Sequence, residues 1–175
     1  KLAGTRIIPL VIEEEKMIAA EKACMEAAGR QPVLQLLPFT HKKVGIVNTG
    51  NEIFYGRIKD SFTPVIESKF AEYDTEIIGR EVWDDDDAKV TSAIMRMIEA
   101  GADIGGMSVG PDDKTPLAIK NTGASIVSYG APVLPGAMFL LAYYEVKEGP
   151  NPRTVAIMGL PGCVMYARRT IFDLV

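Results

Sequence analysis

Histidine and cysteine are nearly missing from this chain, and each shortage closes off a class of chemistry. With a single histidine, His41, among 175 residues, a Ser-His-Asp triad or a histidine-bound zinc site lacks material. Two cysteines, Cys24 and Cys163, are too few for a disulfide framework, so a reducing compartment and a cytoplasmic location are expected. No apolar run approaches the roughly 20 residues of a membrane helix. The longest candidate, AMFLLAYYEV (137–146), is strand-sized and ends in charge. No secretory signal is visible. Basic residues are outnumbered, 19 Lys and Arg against 23 Asp and Glu, and they form no cluster, which argues against nucleic acid as the main partner. What remains is the composition of an ordinary globular protein, 47% hydrophobic and 24% charged, long enough to bury a proper core. The chain opens on KLAGTR without a methionine and stops inside the apolar IFDLV. We therefore expect a segment of something longer.

The pattern along the chain is one of alternating strands and helices. RIIPLVI (6–12) has strand character. EEEKMIAAEKACMEAAG (13–29) has acids in its first turn and a glycine stop, and Met17, Ala20, Cys24 and Ala27 recur at helical spacing, which predicts a core-facing stripe. PVLQLLPF (32–39) reads as extended. Residues 1–41 are thus expected to form a lead-in subdomain or linker, with the main unit at 42–175. There KVGIVNT (43–49) reads as a buried strand. A helix capped near Asp60 to Thr63 follows, with Phe62, Val65, Ile66, Phe70 and Tyr73 on one face. TEIIGREV (75–82) is a second strand. DDDDAKVTSAIMRMIEAG (84–101) is a helix that turns Val90, Ile94, Met97 and Ile98 to the core. A short helix over 115–123, strands over 124–129 and 154–160, and a final helix after Pro161-Gly162 complete the pattern. Such alternation predicts a parallel α/β sheet covered on both faces, with ligand loops at the carboxyl ends of its strands. One place breaks the pattern. Only Ala102, Asp103 and Ile104 separate the helix stop at Gly101 from GGMSVGPDDKTP (105–116), too few for a strand of the usual roughly five residues. Residues missing between Ile104 and Gly105 are the expectation this raises.

The loops suggest anion chemistry. GGMSVG and GLPG would leave backbone N–H groups free to face an anion, although neither is a dinucleotide fingerprint and no Walker-type GKS or GKT occurs. Thr115 reads as an N-cap and Pro116 as the first helical residue. Asp84 to Asp87 exceed what capping a helix needs. Together with Asp112-Asp113 they suggest a divalent cation of the Mg²⁺ kind, held by one or two carboxylates and by substrate phosphates. Cys163 follows GLPG at the start of the last helix, where it is expected either to line one crevice with Gly105 and Gly106 or to pack, inert, into the core.

NTGNE, GRIKDS, WDDDD, GGMSVGPDDKTP, VLPGAM and GLPG stand in the order found in the molybdopterin-binding domain of molybdenum-cofactor biosynthesis proteins (the MoaB/Mog type, also MoeA-like), which residues 42–175 resemble. The resemblance implies an α/β fold, a three-layer αβα sandwich with a mostly parallel sheet, that binds the phosphate and dithiolene end of molybdopterin. It also implies a transferase that adenylylates molybdopterin with Mg-ATP or inserts molybdate into the adenylate. It marks Asp85 and Asp113 as the functional, Mg²⁺-holding carboxylates and Gly105, Gly106 and Ser108 as the anion-cradling turn. Thr49, Gly50, Gly110, Thr115, Pro161, Gly162 and Cys163 fall in the same ligand loops. It also implies a homo-oligomer. Three positions depart from the family pattern: Asn51 replaces an acid in TGDE, Ala137 replaces a lysine in PGKP, and Cys163 replaces the asparagine of LPGNP. Loss of that lysine and that acid weighs against molybdate insertion and leaves pterin binding, so a non-catalytic carrier or sensor of the pterin is the alternative.

Overall fold

The computed structural model describes residues 11–29, 31, 36–109, 114–147 and 152–175, and the chain separates into two compact units, 1–38 and 39–175. In the first unit, α1 (Glu14–Ala27) forms as its acidic first turn and alanine content favour. None of its residues is buried, so the expected core stripe of Met17, Ala20, Cys24 and Ala27 is corrected. Two of those four positions are alanines, which offer little apolar area to bury. The strand expected at 6–12 falls almost wholly, and the extended stretch at 32–39 in part, outside the described residues. Residues 36–40 carry no regular structure.

The second unit is built on a six-stranded sheet in the order β2-β1-β3-β6-β5-β4. Its strands are β1 (Lys42–Thr49), β2 (Thr75–Trp83), β3 (Ile104–Val109), β4 (Ser125–Tyr129), β5 (Leu140–Val146) and β6 (Arg153–Pro161). β1 runs parallel to β2 and to β3, and β3 runs parallel to β6. β5 is antiparallel to both β6 and β4. Helices α2 (Asn51–Phe54), α3 (Phe62–Phe70), α4 (Asp87–Glu99) and α5 (Thr115–Asn121) connect the strands.

Period-two alternation sorts the core into two layers. Val47, Met107, Val155 and Ile157 face α4 and α5, where Val90, Ile94, Met97, Ile98 and Ile119 meet them. Val44, Ile46, Met158 and Leu160 face the other way, onto Phe62, Ile66 and Phe70 of α3 with Val164 and Phe172. α4 lies close to the sheet because Gly45 carries no side chain. A Cβ there would sit 2.7 Å from Met97 Cβ and 2.8 Å from its Cγ. At the far edge the covering fails. Every residue of β4 is exposed, so the expectation of a sheet covered on both faces does not extend to this strand.

Two further expectations are corrected. No residues are missing before the glycine pair, because Gly105 and Gly106 are themselves the body of β3. Its register runs unbroken from Ile104↔Ala156 to Val109↔Pro161 against β6, and from Val44↔Ile104 to Val47↔Met107 against β1. Asp103 leads in: its N–H donates to Lys43 O at 2.8 Å, and its carbonyl accepts from Ala156 N at 3.0 Å. The final helix is also replaced, by two 3₁₀ turns at Gly162–Met165 and Ile171–Leu174. A tertiary ion pair fixes the second. Asp173, a capping-box partner of Thr170, accepts from Lys69 Nζ on both carboxylate oxygens, at 2.8 and 2.9 Å, with its side chain fully buried. Lys69 also donates to Arg168 O at 3.0 Å. The segment follows the buried charge of α3 and leaves the helical path.

Candidate functional site

The three central strands β1, β3 and β6 end at one cavity of about 910 Å³, where crossovers in a parallel sheet leave room for a ligand. Asn48, Thr49, Gly50 and Asn51 line it from the end of β1, Ser108 from β3, and Pro161 and Gly162 from β6. Lys59, Ser61, Asp85, Lys114, Met138 and Tyr166 complete much of the wall.

Its floor is a chain of hydroxyls. Thr49 N–H donates to Ser108 Oγ at 3.0 Å, Thr49 Oγ1 lies 3.0 Å from Ser108 Oγ, and Thr49 Oγ1 lies 3.2 Å from Thr115 Oγ1. These contacts tie the ends of β1 and β3 to the first residue of α5. Gly50, at φ 145°, lets the backbone leave β1 at an angle that side-chain-bearing residues rarely adopt. Beside it, Asn48 is buried, and its Nδ2 donates to Asp60 Oδ1 at 2.9 Å. The same oxygen accepts from Phe62 N at 2.9 Å and Thr63 N at 3.0 Å, so Asp60 fills the capping role at the start of α3. Burial would raise the Asp60 carboxyl, but the bonds from Thr63, Asn48 and Phe62 outweigh it and hold the group below the ordinary aspartate value.

The acidic run divides its labour. Asp86 caps α4 by accepting from Ala88 N and Lys89 N. Asp87 accepts from Asn121 Nδ2 at 3.2 Å. Asp84 pairs with Lys89 at 2.7 Å, and its Oδ1 is buried with no hydrogen-bond partner among the described residues. Only Asp85 lines the cavity. Among the described residues no group of three or more His, Cys, Asp or Glu stands close enough to hold a metal. A single carboxylate fits a Mg²⁺ ion that keeps its waters and arrives with substrate phosphates. His41 stays exposed and pairs with Asp74 at 2.9 Å, which raises the imidazole above its ordinary value.

Of the residues singled out from sequence, Thr49, Gly50, Asp85, Ser108, Pro161 and Gly162 line this one cavity. Thr115 lies beneath it, almost fully buried. Gly105 and Gly106 do not form a turn. They sit inside β3, whose two edges are both paired, so their backbone groups belong to the sheet ladder and not to an anion cradle. Cys163 departs from its expected place as well. It sits in a four-residue 3₁₀ turn and lines an adjoining apolar pocket of about 490 Å³ with Leu134, Pro135, Gly136 and Ala137. Met138 and Pro161 border both spaces. Gly110 and Asp113 lie outside the described residues. Lys59 and Lys114 escape the sequence reading, although both stand inside the loop motifs GRIKDS and GGMSVGPDDKTP that drew attention for other reasons.

A three-layer α/β unit with a cleft at the carboxyl ends of its parallel strands defines a ligand-binding class. Residues 45–175 match the family model described as "Probable molybdopterin binding domain", and the chain belongs to that family of molybdenum-cofactor biosynthesis domains. Solved structures share the fold. The tungsten cofactor synthesizing protein MoaB of Pyrococcus furiosus is 18% identical, with a TM-score of 0.56 over 74% of this chain and 86% of its own. The molybdopterin biosynthesis enzyme MoaB of Thermus thermophilus is 18% identical, with a TM-score of 0.59 over 76% and 89%. A putative molybdenum cofactor biosynthesis protein of Corynebacterium diphtheriae is 16% identical, with a TM-score of 0.57 over 77% and 88%. No curated protein matches the sequence. Among the described residues no helix is long and apolar enough to cross a membrane.

Proposed function

We propose that this domain binds molybdopterin, or its adenylate, in the cavity at the ends of β1, β3 and β6, and serves Mg²⁺-dependent adenylyl transfer. The observation that carries the reading is the convergence of Thr49, Gly50, Asp85, Ser108, Pro161 and Gly162, from loops far apart in sequence, on one space of about 910 Å³. Ser108 and Thr49 would donate hydroxyl hydrogen bonds to anionic oxygens. Asp85, joined by Asp113, would orient a Mg²⁺ ion, which when bound neutralises phosphate charge. Such chemistry asks the protein mainly for positioning and electrostatic stabilisation. Titration with molybdopterin, with and without Mg²⁺, followed by assay of turnover with ATP, tests the reading. The expected result is Mg²⁺-dependent turnover that Asp85→Asn lowers by orders of magnitude while pterin binding falls less. Turnover that survives Asp85→Asn intact would remove that residue from the mechanism.

A carrier role is the second reading. It draws support from Ala137 and Cys163, where the family pattern has lysine and asparagine. Tight pterin binding with no turnover under any Mg-ATP condition would favour it.

A further inference from the structure

The cavity holds two cations that no motif assigned. Lys59 and Lys114 line it from separate segments, and Asp85 is the only anion among the described residues that do so. Most other strongly placed basic groups are already paired: Lys69 with Asp173, Lys89 with Asp84, Arg80 with Glu67, Arg96 with Glu81 and Arg169 with Glu72. Neither cavity lysine joins an ion pair with another described residue. In a chain of formal net charge −4, two lysines against one carboxylate give the described lining of this space a positive balance.

Their backbones are anchored, which separates them from mobile surface lysines. Lys59 precedes Asp60, whose carboxylate is fixed by Asn48 and by the first turn of α3. The Lys114 carbonyl accepts from Ala118 N at 2.9 Å and so begins α5. Both side chains are exposed to solvent, so a ligand can reach them without unfolding anything. With Gly105 and Gly106 committed to the sheet, an anion entering this cavity needs other donors.

We propose that Lys59 and Lys114 form a two-lysine clamp for a phosphoryl group, and that this pair takes over anion recognition where the glycine pair and the family's PGKP lysine do not supply it. The assignment rests on the molybdopterin reading for the identity of the whole ligand, but not for its phosphoryl chemistry. Each ammonium supplies up to three donors as a compact point charge, which suits a tetrahedral oxyanion.

The experiment compares the unaltered protein with Lys59→Met, Lys114→Met and the double variant, with Lys59→Arg/Lys114→Arg as the charge-preserving control. The probes are molybdopterin and inorganic phosphate. A charge-assisted hydrogen bond lost from each lysine should weaken binding about tenfold, and both together about 100-fold. The arginine control should retain most affinity, and rising salt should weaken the unaltered protein more than the double variant. Unchanged melting temperatures would show that the folds are intact. If molybdopterin binds the double variant as tightly as it binds the unaltered protein, the clamp is overturned and the pterin reading stands. If inorganic phosphate binds through the lysines while molybdopterin does not bind, the clamp stands and the pterin reading falls. If neither probe binds the unaltered protein, both are overturned.

Discussion

The parallel and antiparallel parts of the sheet behave as different materials. β1 is buried from Val44 to Thr49 and β6 over most of its length, whereas every residue of β4 is exposed. Parallel neighbours require crossovers, and those crossovers place α3 on one face and α4 with α5 on the other. They also deliver the loops after β1, β2, β3 and β6 to one end of the sheet, where the cavity forms. β5 joins by antiparallel pairing, and β4 beyond it gains no covering layer. In this chain one topological choice sets both burial and the location of the site.

The largest expected effect lies in the covered part. Lys69→Met removes the nearest cation from the fully buried Asp173 carboxylate and leaves it Thr170 and a longer contact to Arg169 at 3.4 Å. A loss of about 3 kcal/mol is expected by denaturant unfolding, as for other broken buried pairs. The same latch predicts acid sensitivity. Burial pushes the Asp173 carboxyl up, but bonds from Lys69 and Thr170 push it further down, so its folded value lies below the ordinary 3.8. A depressed carboxylate contributes its full stability above that ordinary value and loses it as pH falls through the folded one. Stability measured downward from pH 4 should therefore fall more steeply in the natural protein than in Asp173→Asn.

Next comes the tight seam between α4 and the sheet. Gly45→Ala should cost about 2 kcal/mol through overpacking, because the new methyl would meet Met97 Cβ and Cγ at 2.7 and 2.8 Å. Gly79→Ala should cost less, since it meets only the flexible Sδ and Cε of the same methionine. Equal losses at the two sites, read from thermal melts, would break the claim that α4 is seated on Gly45.

Asp60→Ala should cost about 1 kcal/mol through loss of the cap on α3, and it should also weaken ligand binding by releasing Asn48. Asp60→Asn should recover most of the stability, since an amide oxygen can accept the same N–H bonds. The smallest effect is expected at the open edge. Val127→Thr in β4 should change stability by no more than about 0.5 kcal/mol, and a larger loss would mean that β4 is not the exposed strand described.

Much of the fold is legible in the sequence because period and punctuation are local. The helices α3 and α4 are readable from Ile66 and Phe70, and from Val90, Ile94 and Met97, which repeat at helical spacing and are buried as that spacing requires. The Asp60 cap is readable from its place before an apolar run. The failures share a cause. Gly105 and Gly106 read as a turn because glycine is a turn signal on local grounds, yet pairing on both edges of β3 recruits them into a strand. A Cβ at either would meet only ordinary contacts, at 3.6 Å or beyond. No local rule marks that position.

The sequence by itself determined the helices α3 and α4, the buried strands β1 and β6 and the family to which residues 45–175 belong, because each is written in spacing and residue type. Tertiary structure alone decided that Lys69 would be buried against Asp173, and that Lys59 and Lys114 would share a space with Asp85. Residues distant in sequence acquire common surroundings only when the fold brings their elements together, as the parallel strands do at the cavity and α3 does with the last 3₁₀ turn. The chemistry of a charge depends on those surroundings more than on its identity.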